Sequence, residues 1–142
     1  MPSDTRVIYA LVRELAVYEN LLDVVDATEG MIGDALFGQT PRAFCELAEW
    51  DGEVAGFSLW FYNFSTFRGR HGIYLEDLFV RPDFRGKGLG KALIVSLARR
   101  CVGEDLARFE WSVLDWNAPA IHFYKKFNAR FDPEWVNVVI DL

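Results

Sequence analysis

Arg85-Gly86-Lys87-Gly88-Leu89-Gly90 is the stretch on which the reading of this chain turns. It follows an apolar run at 73–80 and an Arg81-Pro82 break. It leads straight into a segment in which Leu89, Ala92, Leu93, Ser96 and Leu97 recur at helical spacing. Glycines at alternate positions let a backbone approach a ligand closely and turn several N–H groups the same way. The start of the following helix adds partial positive charge, and Arg85, Lys87 and Lys91 add mobile cations. The combination suits a diphosphate. A P-loop would need GxxxxGK[ST], which no window of the chain supplies. A dinucleotide fingerprint starting at Gly86 would need glycine where Lys91 stands, and it opens after the first strand of a parallel unit. RxxGxG between a strand and a helix is matched in full. A glycine-rich turn that binds nothing is the plain alternative.

Outward from this turn the elements alternate. Upstream, Ser3, Asp4 and Thr5 are helix caps, and Ile8, Leu11, Val12, Leu15 and Ala16 mark a first helix over 4–18. Thr28 opens a short second helix that Gly38 closes, with Pro41 just beyond. Strands are expected at 44–50 and 54–64, joined by an Asp51-Gly52 hairpin turn, and at 73–80. Downstream of the helix at 89–100 come a strand at 109–114, a helix at 118–127 and a final strand at 135–142. The order ααβββαβαβ describes an α/β chain of the α+β kind, with a mixed sheet flanked by helices.

The 142 residues suffice for one domain spanning 1–142, with a core closed over a small-molecule cleft. Half the residues are apolar and a quarter charged, a soluble globular composition. The net charge of −6 argues against a nucleic-acid partner and mildly favours a cationic substrate. Cys45 and Cys101 form no CxxC pair, so they read as reduced, inert core thiols. His71 and His122 have no carboxylate at ligand spacing, and no metal is expected. No apolar run reaches membrane-spanning length and no signal peptide is seen, which makes the cytoplasm the default compartment.

Four separated blocks carry a resemblance. Arg85–Gly90, preceded by Tyr74-Leu75-Glu76-Asp77-Leu78-Phe79-Val80, resembles the acetyl-CoA motif of the GNAT superfamily. Together with Tyr18-Glu19 and the run from Trp116-Asn117-Ala118-Pro119-Ala120 to Tyr124-Lys125, these blocks are similar to the spermidine/spermine N-acetyltransferase subfamily, which includes diamine and thialysine acetyltransferases. The resemblance implies a mostly antiparallel central sheet, splayed between two strands at the acetyl-CoA site, with helices on both faces. The family also begins with a strand before its first helix, whereas this chain starts almost at the helix cap, so either a sheet lacking that first strand or a truncated N-terminus is expected.

Roles follow from the resemblance residue by residue. Leu78, Phe79 and Val80 should pair with the pantetheine arm, and their backbone can donate to the thioester oxygen. Gly86, Lys87, Gly88, Leu89, Gly90 and Lys91, led by Arg85, should hold the pyrophosphate, while Asn117, Ala118, Pro119 and Ala120 touch the cofactor. Tyr124 is the expected general acid for the coenzyme A thiolate; the plain alternative is a core tyrosine. Glu76 should anchor the amine and, through water, take its proton. Asp77, its neighbour, should point to the opposite face unless the strand bulges. Tyr18, Glu19, Glu110, Trp111 and Ser112 match acceptor-contacting positions. The implied activity is acetyl transfer to a small polyamine, diamine or lysine-like amine by a homodimeric enzyme. Another small amine, an amino acid or a peptide terminus is the alternative within enzymes. A non-catalytic acyl-CoA-binding module is the alternative outside them.

Overall fold

A computed structural model describes residues 1–142. The chain divides into two compact units, Met1–Trp111 and Ser112–Leu142.

The first unit opens with helix α1 (Thr5–Tyr18), entered through a short 3-10 turn, and continues with helix α2 (Glu29–Phe37). The Thr28 hydroxyl accepts from the Met31 backbone N–H at 3.2 Å and Gly38 ends α2, as the capping residues dictate. Strands β1 (Phe44–Trp50), β2 (Glu53–Ser65) and β3 (Arg70–Val80) form an antiparallel meander. The β1–β2 turn has Asp51 at φ 51° and Gly52 at φ 80°, the doubly left-handed geometry that twists a tight hairpin correctly. Helix α3 (Leu89–Gly103) then carries the chain to β4 (Phe109–Trp111), which runs parallel to β3. The sheet order is β1-β2-β3-β4.

Each face of this sheet is covered by one helix. Leu11 and Leu15 of α1 pack with Phe57 and Phe79. On the other face, Leu97 and Cys101 of α3 pack with Trp60, Ile73 and Leu75. The buried stripe of α3 is Leu93, Ile94, Leu97 and Cys101, whereas Ala92 and Ser96 are exposed. That rotates the expected face by part of a turn.

Leu75 and Phe79 are four residues apart and should share a face in a regular strand. They lie in opposite cores. The cause is a β-bulge: Asp77 pairs with Leu59 and Leu75 with Trp60, so Glu76 is the extra residue without an opposite number. Beyond it the row Cys45–Leu59–Asp77 runs across three strands on the α1 face.

The second unit contains helix α4 (Ala118–Lys125). Asn117 caps it, its Oδ1 accepting from the Ala120 N–H at 3.4 Å, and Pro119 sits in the first turn where its missing donor is harmless. The expected final strand is not formed: 135–142 has no regular structure, and Trp135, Val136, Val138, Val139 and Ile140 are 73–91% exposed. β-branched residues suit a pleated surface, but a strand exists only when paired. The strand expected at 109–114 likewise ends at Trp111, where its pairing ends.

Candidate active site

The glycine turn has the backbone that its sequence calls for. Gly86 and Gly88 sit at φ 78° and 80°, a region costly for residues with a Cβ. A Cβ built on either would meet no protein atom within 4 Å, so the turn borders open space. Gly88 is the N-cap of α3, which places free N–H groups and the positive end of the helix there. Lys87 and Lys91 are exposed around it. These features fit a diphosphate.

Arg85 makes contacts within the protein. Its Nε donates to the Val80 carbonyl at 2.9 Å, and its guanidinium lies 5.1 Å from the Tyr18 ring centroid and 5.7 Å from that of Phe79. The first arginine of the motif thus ties the end of β3 to the end of α1. Arg81 makes a second tie: it forms a two-point ion pair with Glu14 of α1, at 2.9 Å and 3.0 Å, and donates to the Val54 carbonyl.

Leu78, Phe79 and Val80 end β3 and pair with Ser58, Phe57 and Gly56 of β2. On the other side, β4 pairs with β3 only at Ile73, Leu75 and the residue between them. Past Leu75 that edge of β3 has no strand beside it.

The acidic groups of this region gather at the bulge. Glu76 is exposed and Asp77 partly buried. Burial, then the charges of Glu76 and Glu19, push the Asp77 carboxyl up to about 7. Burial also raises Glu19, which follows the last residue of α1. Asp77 was legible only as the neighbour of Glu76. The bulge that gives it this setting leaves no mark in the sequence. Burial, followed by the Asp77 and Glu46 charges, also lifts the Cys45 thiol to about 12, which keeps it inert at neutral pH.

The remaining expected residues lie as follows. Tyr18 is 37% exposed and joins the Arg85–Phe79 group. Glu110 is in register with Tyr74, and its Oε1 accepts from Asn63 Nδ2 at 2.8 Å and Arg108 Nε at 2.7 Å, so its charge is already opposed. Trp111 stands beside Leu75. Ser112 opens the second unit and is exposed. Within that unit Asn117 and Tyr124 are buried, at 6% and 8% exposure, Ala120 is partly buried, and Ala118 and Pro119 are exposed. No group of three or more His, Cys, Asp or Glu side chains is placed to hold a metal ion. No helix is long and apolar enough to cross a membrane.

Comparison with known proteins gives the family. The acetyltransferase (GNAT) family model matches residues 9–129. A thialysine N-epsilon-acetyltransferase from Bos taurus is 38% identical over 131 residues, covering 87% of this chain and 76% of that protein. An L-ornithine N5-acetyltransferase from Arabidopsis thaliana is 30% identical over 179 residues, covering 94% and 78% respectively. Among solved structures, an aminoglycoside acetyltransferase from an uncultured soil metagenomic sample shares the fold with a TM-score of 0.81 at 13% identity, over 100% of this chain and 92% of that one. The chain belongs to the GNAT family and is an acetyl-CoA-dependent N-acetyltransferase.

Proposed function

We propose that the protein acetylates a primary amine of a small polyamine, diamine or lysine-like molecule by direct attack in a ternary complex. The observation that carries this reading is the group formed by Glu19, Glu76 and Asp77, in which the charges of Glu76 and Glu19 act on the Asp77 carboxyl beside the end of β3. An acidic group of this kind concentrates cationic amines and holds one ammonium while another reacts. The kinship with thialysine and ornithine acetyltransferases supports an amine on a short aliphatic chain.

The roles follow the same logic. When bound, acetyl-CoA supplies its acyl group activated as a thioester. Gly86–Lys91 hold its diphosphate through backbone N–H groups and lysines. The backbone of Leu78–Val80 lies along the unpartnered edge of β3, in keeping with strands that splay there to admit the pantetheine arm, and donates to the thioester oxygen. Glu76 orients the amine and takes its proton through water. Asp77, with its carboxyl near 7, shares that acid–base work. Tyr18, Glu19, Trp111 and Ser112 contact the acceptor, and Glu110 adds a more distant carboxylate. Asn117–Ala120 contact the cofactor, and Tyr124 gives a proton to the departing thiolate. The family match runs across both compact units, which supports treating 1–142 as one functional domain. β1 has no strand on its outer side, in keeping with a sheet lacking the family's first strand. The exposed apolar residues of 135–142 are in keeping with a homodimer.

An amino acid as acceptor is the second reading, favoured by the ornithine-acetylating relative. Acetylation of spermidine, putrescine, thialysine, ornithine and a panel of α-amino groups, followed by free thiol release, separates the two. Turnover of α-amino groups without turnover of any polyamine, diamine or side-chain amine would reject the proposal.

A further inference from the structure

The glycine turn has an aromatic neighbour for which the acetyl-transfer reading has no use. Trp50 is the last residue of β1, next to the Asp51-Gly52 turn, and is 38% exposed. The Lys87 Nζ lies 5.2 Å from its ring centroid. Lys87 stands between the two left-handed glycines that border open space. The lysine side chain therefore spans the distance between the rim of the diphosphate turn and an exposed indole.

We propose that Trp50 is the nucleobase platform of this site: the adenine of coenzyme A stacks on its indole while Lys87 moves from the ring to a phosphate. The inference rests on the reading of the turn as a diphosphate site. Coenzyme A joins its adenine to its diphosphate through a single ribose, so the base must come to rest within about one nucleotide of the turn. Trp50 lies within that reach. An ammonium over an exposed ring is held weakly, whereas a charge-assisted bond to phosphate is among the stronger polar contacts. A bound diphosphate therefore draws Lys87 off and bares the ring face. The neighbouring arginines are not available for that exchange on the same terms, because Arg85 is held at Val80 and Arg81 at Glu14. A purine offers a flat π-face to whichever aromatic surface is left open, and stacking needs no further polar partner.

The test compares two acyl donors. S-acetylpantetheine has the thioester but neither the diphosphate nor the base. Trp50→Ala should raise the KM for acetyl-CoA about 5- to 150-fold at unchanged kcat, which is the fold equivalent of losing one stacked base. It should leave the KM for S-acetylpantetheine where it was, and Trp50→Phe should recover most of the loss. Adenosine 3′,5′-bisphosphate should inhibit the wild type and should inhibit Trp50→Ala less. An acetyl-CoA KM within twofold of wild type, or an equal shift for both donors, would overturn the platform and leave the turn intact. A wild-type protein that binds no coenzyme A would reject the turn and the platform together.

Discussion

Asp77 should make this protein less stable as the pH rises, and the effect is large enough to isolate. Its folded-state carboxyl is raised from 3.8 to about 7, first by burial and then by Glu76 and Glu19. Between those two values the folded protein holds a proton that the unfolded chain has released. Stability is therefore complete below pH 3.8 and falls as the pH climbs to about 7, after which the cost is constant. At about 1.4 kcal/mol per pH unit the full cost is roughly 4 kcal/mol. Water reaching a partly buried carboxylate brings it to about 2–4 kcal/mol. Asp77→Asn removes the titration while keeping the shape. Urea unfolding of both proteins from pH 4 to pH 8.5 should show the variant gaining steadily, with an advantage of about 2–4 kcal/mol at pH 8. At about 3 °C per kcal/mol for a chain of this size, the melting temperature should separate by about 6–12 °C. Glu76→Gln should move the same curve to lower pH. A stability difference that does not change with pH would refute the assignment.

Three further outcomes are expected. Tyr124→Phe should lower kcat by roughly 10–1000-fold while coenzyme A affinity, read by calorimetry, stays put; an unchanged kcat would remove Tyr124 as the general acid. Gly88→Val should abolish coenzyme A binding at a folding cost of about 1–3 kcal/mol, because the φ of 80° is strained for valine and its side chain enters the open space. Retained affinity there would remove the turn from the site. Leu97→Ala, at a position with no exposed surface in the α3-side core, should cost about 2–5 kcal/mol in chemical denaturation, and a loss below 1 kcal/mol would mean that this core is less tightly packed than described.

What the sequence revealed follows the range of the physics involved. Turn and cap chemistry is local, so Asp51-Gly52, Thr28, Gly38, Asn117 and the Gly86–Gly88 turn could be placed from a few neighbouring residues. Strand pairing is not local. The Trp135–Ile140 run has the composition of a strand and no partner, and the strand starting at Phe109 stops where its contact with β3 stops. Side-chain commitments were also out of reach. The guanidinium of Arg85 lies over Tyr18 and Phe79, and Glu110 accepts from Asn63 and Arg108, contacts that no local pattern announces. Strict alternation sets Asp77 opposite Glu76 unless the strand bulges, and the one-residue bulge that is found there is not written in the local sequence.

That bulge has a consequence for how the protein can change. Without Glu76, Leu75 and Phe79 would be three positions apart, and an unbroken pleat would still send them into the two cores they now fill. The proposed acid–base residue is thus surplus to the ladder that holds the domain together. A chain shortened by that one residue should fold with a straighter third strand and no acetylating activity. Stability and chemistry in this stretch are separable by a single deletion, so the strand could gain or lose its reactive group without rebuilding either core.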